Sequence, residues 1–128
     1  MPNVRWMSEK YDGMRALWTG KKMMLRTGRE LTLPKLFSNG FPLVTLDGEI
    51  WTRRGLHQQA VGLVNSKTDA TWSNATFLVF DIPELSGPFE ERMEKLRSLS
   101  LPDHVIPIQM VKCTGIDTWY NANCCDRI

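Results

Sequence analysis

Long apolar runs are absent. No stretch of the 128-residue chain approaches the roughly 20 residues that a membrane-spanning helix needs, and no membrane partner is expected. The segment Met1 to Lys10 carries Arg5, Glu9 and Lys10 with no apolar centre, so it is not expected to be a secretory signal. Cysteine is scarce. Cys113, Cys124 and Cys125 are odd in number and two are adjacent, so they make no disulfide framework. They also lack the paired spacing and nearby histidine of a zinc site. A reducing, intracellular compartment is the expectation. Charge of one sign is lacking too: 16 Lys and Arg against 14 Asp and Glu leave +2, which by itself predicts no nucleic-acid partner.

What is present fits one small globular domain, 42% hydrophobic and 23% charged. Met14 to Trp18 and Lys22 to Arg26 are short apolar stretches around Gly20-Lys21, the pattern of a hairpin. Pro34, Ser38, Asn39, Gly40 and Pro42 mark a turn-rich segment. Leu43 to Trp51 reads as a strand with an acidic pair near its end. Leu56, Ala60, Leu63 and Val64 are spaced for one helix face, Asn65 to Asn74 reads as loop, and Thr76 to Phe80 as a buried strand. The clearest helix starts near Pro88, with Phe89, Met93 and Leu96 on one face, and stops before Pro102. Val105 to Val111 is a last strand, placed at an edge by Pro107. Strands and helices alternate loosely, which indicates an α+β fold.

The string Glu9-Lys10-Tyr11-Asp12-Gly13-Met14-Arg15 carries the sharpest chemistry. Lys10 is a candidate nucleophile, an amine that acts once its proton is lost. Gly13 allows a tight turn or a close backbone approach, and Arg15 offers a planar fork suited to phosphate. A surface hairpin with scattered charges is the plain alternative. Two strings at strand ends follow in order, Leu46-Asp47-Gly48-Glu49 and Phe80-Asp81, and strand ends are common places for functional groups. Asp47 and Glu49 point the same way on a strand and could hold Mg²⁺. Phe80 could equally be core. Arg53, Arg54 and His57 could touch a phosphodiester backbone or form a solvated loop.

This ordered set resembles the adenylation domain of ATP-dependent DNA ligases, within the covalent nucleotidyltransferases that include RNA ligases and mRNA capping enzymes. The resemblance covers about residues 5 to 110 and leaves 112–128 as an atypical tail. It implies an ATP-grasp-like α+β fold of antiparallel sheets with packed helices. It makes Lys10 the residue that bonds covalently to AMP. Glu9, Asp12, Gly13 and Arg15 surround it in the motif. Arg26, in Arg26-Thr27-Gly28, would contact the nucleotide and the DNA 5′-phosphate. Glu49 would contact the ribose and, with Asp47, support the metal; Phe80 would stack on adenine. Arg92 matches an arginine that the family often has, more structural than catalytic. ATP and Mg²⁺ are the implied cofactors, and nicked duplex DNA is the implied partner, as in replication, repair and recombination.

The family's later strings, Glu-Gly with following apolar residues and then Lys-x-Lys, do not occur in this sequence. The expectation is therefore a partial adenylation domain over 1–128, incomplete at its C-terminus and weakly active or inactive. The alternatives are a non-catalytic nucleotide- or DNA-binding remnant, or an RNA ligase or capping-type enzyme.

Overall fold

The computed structural model describes residues 5–52 and 72–113. Arg53, Arg54, His57, the Leu56–Val64 helix, most of the Asn65–Asn74 loop and nearly all of the 112–128 tail lie outside the described residues. The chain divides into two compact units, Met1–Lys10 with Ile108–Ile128, and Tyr11–Pro107.

In the first unit, β1 (Arg5–Met7) pairs antiparallel with β8 (Val111–Cys113). The second unit is built on a six-stranded sheet. Its strands are β2 (Met14–Trp18), β3 (Met23–Leu25), β4 (Glu30–Leu31), β5 (Leu46–Trp51), β6 (Thr76–Asp81) and β7 (Val105–Pro107), in the order β4-β3-β2-β5-β6-β7. The helices are α1 (Lys35–Ser38) and α2 (Phe89–Ser98).

The β2–β3 hairpin forms where Gly20-Lys21 interrupts the apolar pattern. Thr19 donates its N–H to the Lys22 carbonyl at 2.9 Å, and Gly20 takes φ +94°, a left-handed conformation open to glycine. Strand alternation then sorts the side chains. Ala16, Trp18, Leu46 and Ile50 are buried, and Arg15, Leu17, Asp47 and Glu49 lie on the more open face. Trp18 keeps its ring in the core because its indole N–H reaches the Pro42 carbonyl at 2.8 Å.

Four of the five strand pairs in this sheet are antiparallel, as the sequence leads one to expect, but β6 and β7 run parallel. A parallel neighbour needs a crossover connection, and α2 lies in it. The single strand expected over Val105 to Val111 is two. β7 ends at Pro107 on the sheet's edge, and Val111 begins β8 in the other unit. Within the turn-rich segment, Pro34 starts the short helix α1.

Helix α2 packs against β6 through Met93 and Leu96, 2% and 0% exposed. Phe89 is only half-buried, with the Arg92 guanidinium over its ring at 5.5 Å. Replacing Met93 with Asp places a carboxylate where no water reaches. It should cost about 3 kcal/mol or more, read as a lower midpoint in thermal or urea unfolding; an unchanged midpoint would show the helix face to be unpacked.

Candidate functional site

Lys10 follows β1 and is exposed; Glu9 beside it is half-buried. Both belong to the first unit, and the remaining described candidates to the second. Asp12 is exposed in the bend that leads into β2. Gly13 is where this segment presses on β5: a Cβ there would meet the Ile50 carbonyl oxygen and the Glu49 side chain. That close approach is the physical reason for a glycine in the string. Tyr11 is buried and meets Trp51 edge-on, with ring centroids 5.3 Å apart. Burial pushes the Tyr11 hydroxyl pKa up.

Arg15, Asp47 and Glu49 come together by strand register. Arg15 stands opposite Glu49 across the β2–β5 ladder, and Asp47 is two residues along on the same face. The Arg15 fork closes on Asp47, with Nε donating to Oδ1 at 2.9 Å and Nη2 to Oδ2 at 2.6 Å. The hydrogen bond to Asp47 outweighs the cost of burial and raises the Arg15 pKa, with further help from the charges of Asp47 and Glu49. Arg15 remains about half exposed, so the pair adds little to stability. Its consequence is orientation.

The orientation matters because the same guanidinium lies over the Phe80 ring, 5.5 Å from its centroid. Phe80 reaches this face by strand alternation, because Phe77 and Val79 turn into the core, and a β-bulge leaves it without a partner. The β5–β6 register runs Gly48 to Val79 and then Asp47 to Asp81, which leaves Phe80 as the unpaired extra residue. Phe77 and Val79 remain fully buried while Phe80 is half-exposed. The reading of Phe80 as simple core is therefore the less apt one. The next residue, Asp81, accepts from Arg92 Nε at 2.8 Å. Sequence reasoning singled out Arg92 but missed this partnership; the charges at Asp81 and Arg92 were its only signal.

Arg26 is placed differently. It is exposed just after β3. An open cavity of about 140 Å³, lined by Phe37, Trp72, Ala75 and His104 among others, contains none of the candidate residues.

A divalent metal does not fit these residues alone. Both Asp47 oxygens are engaged by Arg15, and no group of three or more His, Cys, Asp or Glu among the described residues is placed to hold an ion. No described helix is long and apolar enough to cross a membrane.

No protein-family model matches the chain. It is 32% identical over 106 residues to a DNA ligase of Haemophilus influenzae, spanning 83% of this chain and 40% of that one. A solved Lig E DNA ligase, described as binding DNA with a minimal scaffold, superposes with a TM-score of 0.82 at 28% identity, over 91% of this chain and 48% of that one. Chlorella virus DNA ligase-adenylate shares the fold, with a TM-score of 0.70 at 18% identity, over 90% and 46% of the two chains. The chain thus spans less than half the length of each of these relatives. Over most of its own length the chain is similar in sequence and in fold to DNA ligases.

Proposed function

We propose that the chain contributes the nucleotide-binding and lysine-adenylating part of a DNA ligase that acts on nicks with a 5′-phosphate and a 3′-hydroxyl. The observation that carries this reading is the gathering of Arg15, Asp47, Glu49 and Phe80 on one sheet face, in a chain whose Lys10 string resembles the ligase nucleophile motif. Phe80 offers an aromatic surface to adenine, and Glu49 faces the ribose. Arg15, held by Asp47, supplies positive charge beside them.

Lys10 Nζ, after losing a proton to solvent, attacks the α-phosphorus of ATP. The nitrogen–phosphorus bond forms as the bond to the bridging oxygen breaks, and pyrophosphate leaves. Negative charge builds on the phosphoryl oxygens, where positioned cations lower the barrier. Arg26 is the exposed arginine assigned to nucleotide and 5′-phosphate contact, and the Arg53, Arg54 and His57 cluster is assigned to the DNA backbone. Mg²⁺ is the ion this family typically uses, and its site needs more than Asp47 and Glu49.

A second reading, nucleotide binding without turnover, is favoured by the engagement of Asp47 with Arg15. Incubation with ATP labelled in the α-phosphate and Mg²⁺, followed by denaturation, separates the two. Label is expected to stay on the unmodified chain at a low level and to disappear in Lys10→Ala. Equal retention by both chains, or none by either, defeats the adenylation reading.

A further inference from the structure

We propose that Arg92 is a positioning residue that fixes Phe80 for the nucleobase by clamping Asp81. The inference rests on the nucleotide reading of the Phe80 face and adds to it the group that holds the platform in place.

A bulged residue has no cross-strand partner beside it, so the groups that steady the Phe80 ring are its neighbours. On one side stands the Arg15 guanidinium. On the other, Asp81 is tied down three times. Its Oδ1 accepts the Ile82 N–H at 2.8 Å and Arg92 Nε at 2.8 Å, and its Oδ2 accepts Arg92 Nη2 at 3.3 Å. The same guanidinium donates Nη1 to the Gly87 carbonyl at 2.8 Å. One arginine therefore joins the end of β6 to Gly87, two residues before α2, closing the connection between them. Gly87 meets that demand with φ +104°, a left-handed conformation.

The anchor is firm. Ile82 is 1% exposed, and Met93 and Leu96 fix the helix that carries Arg92. The Arg92 and Asp81 side chains are 22% and 23% exposed, so solvent screens this pair less than the Arg15–Asp47 pair, at 48% and 24%. A lysine could supply the charge to Asp81 but not the fork that reaches both Asp81 and Gly87. Arg92 touches neither nucleotide nor reacting atoms in this scheme. It acts through Asp81 on the direction of the Phe80 ring.

The test compares the full chain with Phe80→Ala, Arg92→Gln and the double variant, by equilibrium titration with ATP in the absence of metal. Stacking of a base on an aromatic ring is worth roughly five- to hundredfold in affinity. Phe80→Ala and Arg92→Gln should each raise Kd by about fivefold or more, and the double variant should be no more than about twofold worse than Phe80→Ala alone. Additive losses would overturn the proposal, because an arginine of general structural value would act independently of Phe80. Carbon-13 resonances of the phenylalanine rings in the free chain give a second readout. Arg92→Gln should shift or broaden the Phe80 signals and leave those of Phe37 unchanged; unchanged Phe80 signals overturn the clamp. Should Arg92→Gln not fold, the isosteric Asp81→Asn is measured in its place with the same criteria. Failure of the unmodified chain to bind ATP removes the nucleotide reading of this face, while the ring signals still decide whether Arg92 holds Phe80.

Discussion

Nick sealing by the 128-residue chain is expected to lie at least about a hundredfold below ordinary ligase turnover. Ligation stabilises phosphoryl charge three times: on the lysine, at the 5′-phosphate, and as the 3′-hydroxyl expels AMP. The sequence holds neither the Glu-Gly string nor the Lys-x-Lys string that the ligase resemblance assigns to metal and α-phosphate contacts. Among the described residues, Asp47 is committed to Arg15. Removing one well-placed electrostatic partner commonly costs a few kcal/mol of barrier, about a hundredfold or more in rate. A nicked duplex with a 5′-phosphate, given ATP and Mg²⁺, should remain almost wholly unsealed. Sealing at ordinary turnover, lost in Lys10→Ala, would show that the chain carries more of the electrostatic machinery than its motifs reveal.

Gly48→Val is expected to lower the stability of the fold sharply. Gly48 sits inside β5 between Ala16 of β2 and Val79 of β6. A Cβ there would run into the Leu78 carbonyl oxygen and the Phe77 ring. Neither obstacle is the free end of a flexible side chain. One is ladder backbone, and the other is a core ring at 0% exposure. Relief requires β5 and β6 to separate, at about 3 kcal/mol or more, a large share of a small domain's stability. The same separation would pull Asp47 and Glu49 away from the Phe80 bulge, so ATP binding should fall with the melting temperature. Wild-type melting in Gly48→Val would mean that β5 and β6 do not lie as close as described.

Much of the scaffold was legible because its signals were local. Gly20-Lys21 announced the hairpin, Pro88 and the Phe89, Met93, Leu96 spacing announced α2, and the alternation around Asp47 and Glu49 announced β5. Parallel pairing of β6 with β7 was not legible, because strand direction is set by the crossover and not by strand composition. The break after Pro107 was also hidden: Val111 pairs with β1 through a contact about a hundred residues away in sequence, which no local pattern records. At the candidate site, the residue types of Arg15, Asp47, Glu49 and Phe80 could be read from motifs, but their partnerships could not. Arg15 reads as a phosphate fork and is found closed on Asp47. A bulge is a register event between two strands, so nothing in Phe77 to Asp81 alone foretells that Phe80 is left unpaired. The roles assigned to Lys10 and Arg26 rest on their strings.

The most direct measurement is the position of the covalent adduct. The unmodified chain is incubated with ATP and Mg²⁺, denatured, cleaved with a protease and mapped by mass spectrometry. The account predicts a small modified fraction carrying AMP on Lys10 alone, with the bond broken by acid as expected for a phosphorus–nitrogen linkage. AMP spread over exposed lysines such as Lys21 and Lys22, or no adduct under conditions in which ATP is bound, would contradict it.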